Sequence, residues 1–250
     1  MADWLVRPRS RPYAPLRLVC VPYAGGGASA FRTWADLLGD RVELWCANLP
    51  GRERRFAEPA RTDLATLAEP LTDAIDAQVR PPVVLFGHSM GALIAFETAR
   101  RLAARGAAPE RLFVSSAKAP HLPLGSRPDR FTDAALVSWV TRLGGAPAEL
   151  LANREMLELL LPTLRADLRL CADYHGDPTV SPVDVPVTAF AGLADPLAAL
   201  ADVAGWARHT TAGFDLVPLP GGHFQLSHDP APVITRVLGT ADRASKEGVR

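Results

Sequence analysis

An α/β fold, a mainly parallel sheet with crossover helices, is what this chain predicts, on two observations. Short apolar runs alternate with helical patterns along most of its length. Apolar residues make up 48% of the 250 positions, enough for one sizeable core, and that length suits one α/β domain carrying an insertion.

The elements follow in order. LRLVCVP (16–22) reads as a buried strand. A helix is expected near 31–38, then a second strand in VELWCANLP (42–50). Thr62 can N-cap a helix toward residue 79, and Pro70 should kink or split it. VVLFGHS (83–89) is the clearest strand. The helix after it covers 90–105, with Leu93, Ile94, Phe96 and Leu102 apolar and Gly106 placed to cap its end. RLFVSSA (111–117) is the next strand.

From about 120 to 181 no strand is legible. Thr132 can cap a helix over 133–143, stopped by Gly144-Gly145. Asn153 can cap another, expected to break at Pro162, with helix continuing to about Tyr174. Strands return with VPVTAFAG (185–192) and FDLVPLP (214–220), separated by a helix near 197–209. A last helix is expected over 232–238, and the polar tail 240–250 should fray. The strandless block runs to about 60 residues, longer than an ordinary connection. The expectation is therefore one domain, 1–250, with a helical lid insertion at about 120–181. A separate domain there would have few residues for a core of its own.

Lys plus Arg number 27, as do Asp plus Glu, so the net charge is zero. No strong field favours nucleic acid or a membrane, and neither is expected as a partner. Cys20, Cys46 and Cys171 show no CxxC spacing. Cys20 and Cys46 sit inside apolar runs as small core residues. No disulfide framework, zinc site or other metal is implied. The N-terminus has no apolar signal region, and no stretch of about 20 apolar residues occurs anywhere. A cytoplasmic protein is expected.

Gly87-His88-Ser89-Met90-Gly91 matches G-x-S-x-G between the clearest strand and the helix after it, the context the motif requires. The serine would sit on a sharp, strained turn, with glycines where a Cβ would crowd neighbouring strands. Free N–H groups at the helix start would face the reacting oxygen. A serine hydroxyl needs a base. Of six histidines, His223 follows the final strand in GGHFQL, where two glycines let the loop turn back over the sheet. His88 should point away from the serine, His121, His175 and His209 should be solvated, and His228 lies where the last helix begins. The orienting acid should lie between serine and histidine, after a strand. Asp195 in AGLADP fits; Asp177 and Asp184 read as loop residues and Asp215 as a surface one. Ser89, Asp195 and His223 then form a triad in the chain order of an α/β-hydrolase fold.

Two backbone donors should hold the oxyanion. Met90 follows the nucleophile, and Ala24 lies in the glycine loop Tyr23-Ala24-Gly25-Gly26-Gly27 after the first clear strand. That loop has neither a phosphate-binding nor a dinucleotide context, so no cofactor is expected.

With these residues in view, nearly the whole chain resembles the free-standing type II thioesterases that accompany modular polyketide synthases and nonribosomal peptide synthetases. The resemblance rests on PYAGGGASAF (22–31), LPGRERRF (49–56), FGHSMGALIAFE (86–97), SSAKAP (115–120), LPTLRADL (161–168), GLADP (192–196) and GGHFQL (221–226). Each is modest alone, but in this order and spacing they are specific. The resemblance implies hydrolysis of aberrant or stalled acyl groups from the phosphopantetheine arm of acyl or peptidyl carrier protein domains. In antibiotic-type biosynthesis this lets a blocked assembly line resume. It also implies Ser89, Asp195 and His223 as catalytic residues, Ala24 and Met90 as the oxyanion hole, and the 120–181 block as a mobile lid.

Two features keep alternative readings. The lid leucines (Leu136, Leu143, Leu150, Leu151, Leu157, Leu159, Leu160, Leu161, Leu164, Leu168 and Leu170) should mostly pack the lid on the body, or a subset lines an acyl tunnel. Arg52, Arg54 and Arg55 are a solvated loop, or a contact for the arm's phosphate or an acidic carrier protein. A medium-chain fatty-acid synthase thioesterase and a general carboxylesterase are the alternatives within hydrolases. A non-catalytic carrier-protein binder is disfavoured because all three triad positions are filled. A chain-terminating cyclase domain is not expected, since no carrier domain stands beside this sequence.

Overall fold

The structure, a computed structural model, describes residues 3–123, 131–145, 153–174 and 182–247. Its strands are β1 (Leu5–Val6), β2 (Leu16–Val21), β3 (Val42–Ala47), β4 (Val83–His88), β5 (Arg111–Ser115), β6 (Val187–Gly192) and β7 (Phe214–Leu219). They form one sheet in the order β1-β3-β2-β4-β5-β6-β7. Only the pairing of β1 with β3 is antiparallel. The helices are α1 (Trp34–Leu37), α2 (Ala65–Gln78), α3 (Met90–Ala104), α4 (Asp133–Leu143), α5 (Arg154–Asp173), α6 (Leu200–Ala204), α7 (Gln225–His228) and α8 (Ala231–Glu247). This is the α/β-hydrolase fold that the sequence predicts.

Every residue of β2, β3, β4 and β6 is buried, as strands covered on both faces must be. Side chains alternate between the faces. Val19, Val21 and Leu85 meet one apolar layer with α2 and α3; Leu18, Cys20 and Phe86 meet another with α1 and α8. Cys20 and Cys46 are buried free thiols, and burial pushes both thiol pKa values up.

Several local expectations change. β1 has only two residues and escapes any periodicity reading. The cap of α2 is the Asp63 carboxylate, which accepts the Ala65 N–H at 2.7 Å, instead of Thr62. Neither internal proline breaks its helix. Pro70 lies inside α2 and Pro162 inside α5. The carbonyls they leave without a helical donor belong to Thr66 and Glu158, both exposed and open to water. Burial of Leu67, Leu71 and Ile75 in α2, and of Leu161 and Leu170 in α5, holds each helix across its proline. The tail does not fray where expected: α8 runs to residue 247, nine residues beyond the predicted end at 238. Val233, Ile234, Val237 and Ala241 give it an apolar stripe on the sheet. The caps of α4 and α5 are as predicted. Thr132 Oγ1 accepts the Ala135 N–H, Asn153 Oδ1 accepts the Met156 N–H, and Gly144 closes α4 at φ +72°.

No described helix is long and apolar enough to cross a membrane. His175, Asp177, Leu150 and Leu151 lie outside the described residues.

The turn from β4 into α3 is the tightest point of the fold. A Cβ on Gly87 would run into the Gly91 carbonyl, and one on Gly91 into the Val21 carbonyl oxygen at the end of β2. Both obstacles are backbone and cannot rotate away. Gly91→Ala should therefore destabilise the protein by more than about 3 kcal/mol, at the severe end of single substitutions. Urea unfolding tests this, and a midpoint equal to the parent's would refute it.

Candidate active site

Ser89 stands between β4 and α3 with φ +53° and ψ −119°, outside the regions that side-chain-bearing residues favour. The geometry is held from both sides. The Ser89 N–H donates to Ser115 O at 2.8 Å, and the two flanking glycines admit the neighbouring backbone.

Asp195 and His223 come from adjacent loops at the C-terminal ends of β6 and β7. Those loops are joined by the Leu193 N–H to Leu219 O at 2.9 Å and the Ala194 N–H to Gly221 O at 2.8 Å. Gly192 is needed here, since a Cβ would come within 2.6 Å of Gly222 O. Asp195 Oδ1 accepts the N–H groups of Leu197 and Ala198 at 2.8 and 3.3 Å. That leaves Oδ2 for His223 Nδ1, at 2.9 Å. An ionised carboxylate only accepts, so Nδ1 carries the proton and Nε2 of the neutral ring is the acceptor. The Ser89 hydroxyl lies 3.0 Å from Nε2. The structure thus brings Ser89, His223 and Asp195 into one hydrogen-bonded line, with Asp195 and His223 buried and Ser89 half-buried.

Ala24 and Met90 line the same cavity as Ser89 and His223. Neither backbone N–H has an acceptor among the described residues. The glycine loop between them is fixed at several atoms. The Gly25 N–H, in a residue at φ +76°, donates to Asp167 Oδ2 at 2.8 Å. Gly26 O accepts Arg52 Nη1 at 3.1 Å. The Ala28 and Ser29 N–H groups donate to the Glu53 carboxylate, both at 3.0 Å.

These contacts correct the reading of the arginine cluster. Arg52 is only 3% exposed and makes a two-pronged ion pair with the wholly buried Asp167, at 2.7 and 2.8 Å. Arg55 is also buried, clamped on Glu58 and stacked 4.2 Å over Trp4. Only Arg54 is exposed. The charges of GRERRF are largely internal scaffold, which the sequence could not show because Asp167 lies 115 residues from Arg52.

The histidines need correction too. His88 packs beside His223, its ring 5.3 Å from that ring. It is buried, with Nδ1 3.0 Å from Ser115 Oγ. Burial, then the charge His223 can carry, push its pKa well below the usual imidazole value. His121 and His209 are not simply solvated. They stack and share a hydrogen bond of 2.8 Å, so one must donate and the other accept. Burial, then His121, Arg208 and Arg100, lower His209 to about 4. Asp215 is exposed, as expected.

The cavity holds about 640 Å³. Its walls include Leu136 and Leu143 of α4 and Leu157, Leu160, Leu161, Leu164 and Leu168 of α5. Most of the described leucines of α4 and α5 therefore face the cavity; Leu170 is buried in the main core and Leu159 is exposed. Among the described residues no group of His, Cys, Asp and Glu is arranged to hold a metal ion. The site presents a serine hydroxyl beside an imidazole acceptor, two backbone N–H groups without an acceptor among the described residues, and an apolar chamber, an arrangement capable of acyl transfer.

Comparison with known proteins points the same way. A model of the thioesterase domain family matches residues 16–242. The thioesterase PikA5 of Streptomyces venezuelae is 39% identical over 226 residues, covering 90% of this chain and 80% of that protein. The structure of RedJ, the thioesterase of the prodiginine biosynthetic pathway in Streptomyces coelicolor, matches with a TM-score of 0.84 at 40% identity, over 93% of this chain and 87% of that one. YbtT, the type II thioesterase of the yersiniabactin NRPS/PKS pathway, matches with a TM-score of 0.87 at 33% identity, over 97% and 99%.

The histidines make stability depend on pH. His88 and His209 titrate below their unfolded value near 6.5, so between the folded and unfolded pKa values the unfolded chain binds more protons. Their contribution is complete above about pH 6.5 and is lost as pH falls toward 4. Urea midpoints should fall between pH 6.5 and 5, and His209→Asn should flatten that slope. An unchanged slope in the variant would exclude His209 as a contributor.

Proposed function

The chain belongs to the thioesterase domain family, and from that premise we propose that it is an editing thioesterase. It removes aberrant or stalled acyl groups from the phosphopantetheine arm of acyl or peptidyl carrier proteins, in the cytoplasm. The observation that carries this reading is the Ser89–His223–Asp195 line opening onto an apolar chamber. The likeness to a type II thioesterase over 97% of the chain supports the editing role.

In the proposed reaction His223 Nε2 takes the Ser89 proton as Oγ attacks the thioester carbon. Asp195 holds the imidazole tautomer and stabilises the imidazolium. The Ala24 and Met90 N–H groups receive the oxyanion, each contributing on the order of 3–4 kcal/mol in the transition state. The thiol leaves, water attacks the acyl-enzyme, and His223 serves again as base. A thiol of pKa near 8.5 needs little help to depart, and no cofactor enters any step. Helices α4 and α5 act as the lid of a single domain, their leucines receiving the acyl chain.

Ser89→Ala should reduce hydrolysis of an acyl-carrier substrate by at least about 10⁴-fold while leaving the melting temperature close to the parent's. Thiol release from hexanoyl-loaded carrier protein measures it. Substantial turnover in the folded variant would overturn the triad. A parent enzyme strongly preferring simple hexanoyl esters over the carrier thioester would instead favour a carboxylesterase.

A further inference from the structure

The LPGRERRF and LPTLRADL segments carry buried charge that the triad does not use. Arg52 and Asp167 pair where neither meets solvent, and their hydrogen bonds do not end with each other. Asp167 Oδ2 takes the Gly25 N–H at 2.8 Å, and Arg52 gives Nη1 to Gly26 O at 3.1 Å. Gly25 directly follows Ala24, the proposed oxyanion donor. Leu164, one turn before Asp167 on α5, covers the same glycine: its Cδ1 lies 3.3 Å from where a Gly25 Cβ would stand.

The second half of α5 is bound to the body. Leu161, Thr163, Asp167 and Leu170 are buried, Thr163 Oγ1 donates to Gly51 O at 2.7 Å, and Tyr174 just beyond donates to Glu97 at 2.9 Å. In the first half, 154–160, no residue is buried, and Met156 and Leu159 are about half exposed.

We infer that Asp167 is a positioning residue for the oxyanion hole: with Arg52 it fixes the peptide after Ala24, so the anchored half of α5 sets the aim of the Ala24 N–H. This rests on the proposed thioesterase reading. A glycine loop has no side chains with which to hold its own conformation, and a donor works only if fixed before the oxyanion forms. Buried ion pairs are weak stabilisers against apolar replacements. Their fixed, directional fork suits placement.

The test uses the full chain with hexanoyl-CoA as the thioester. Losing one oxyanion donor lowers kcat by 10²- to 10³-fold in a serine hydrolase, so a misaimed donor should lower it by about tenfold or more. Asp167→Asn should lower kcat at least about tenfold while KM stays within about twofold. It should slow inactivation by a fluorophosphonate, which needs the same hole, by a similar factor. Arg52→Lys keeps the charge but not the fork, and should shift kcat in the same direction by less. A folded Asp167→Asn enzyme with parental kcat overturns the inference, as does a rise in KM at constant kcat. If Asp167→Asn does not fold, Arg52→Lys decides by the same split. In either case Ser89-dependent turnover of the parent shows that the proposed function stands when only the positioning role fails. A parent that releases no thiol refutes both.

Discussion

The contact of Gly91 with the end of β2 is the constraint on which the site depends. The turn at Ser89 must be sharp enough to lift a hydroxyl off the sheet, and it can be only because residue 91 has no Cβ to meet Val21 O and Pro22 O. That same backbone leads within two residues into Tyr23 and Ala24. One steric requirement therefore both exposes the Ser89 hydroxyl and brings the glycine loop beside Met90. Across the sheet, the Ser89 N–H on Ser115 O ties the turn to β5, and β6 and β7 deliver Asp195 and His223 from the next two positions. The chemistry is assembled at the C-terminal edge of parallel strands, where open α/β sheets place their ligands.

A second layer, made of charge, holds what the sheet does not. Arg52 and Glu53 are neighbours in sequence but serve opposite ends of the glycine loop. Arg52 takes Gly26 O and, through Asp167, the Gly25 N–H; Glu53 takes the Ala28 and Ser29 N–H groups. The Glu53 carboxylate lies where a Gly27 Cβ would stand, so a side chain there would displace it. Glu53 itself bends at φ +48° to reach there. The loop is irregular but tied at several points: the Gly25, Ala28 and Ser29 N–H groups and Gly26 O each have a side-chain partner.

What could be read from the sequence divides along physical lines. Interactions that close within a few residues were legible: the Thr132 and Asn153 caps, the glycine ends at 106 and 144, and the G-x-S-x-G turn with its reason for two glycines. The chain order serine–aspartate–histidine was legible because the topology of the fold dictates it. Effects that depend on distant burial were not. Pro70 and Pro162 look like breakers until the packing that outweighs them is seen. The polar tail beyond 238 hides Ala241, which continues the stripe of Val233, Ile234 and Val237 onto the sheet. A run of arginines looks like surface until Asp167 is found buried against Arg52. His88 looks incidental until its ring is found beside His223. In each case the missing information was which residues, far apart in sequence, share one volume.

The chamber follows from the same division of labour. The polar groups that perform chemistry are gathered on the sheet side. The opposite wall is largely leucine, from α4 and from α5, whose second half is bonded to the body. Such a wall discriminates weakly: one methylene in an apolar pocket is worth only about 1–3 kcal/mol. On the proposed editing role, release of many different misplaced acyl groups needs no sharper selection. A thioester supplies its own good leaving group, so in the proposed reaction loose fit on the acyl side takes little from the chemistry, provided that Ser89, His223 and the Ala24 and Met90 N–H groups are held rigidly on the other. On this reading the anchored half of α5 serves both sides: Asp167 holds the glycine loop, while Leu161, Leu164 and Leu168 of the same half join Leu157 and Leu160 in the chamber wall.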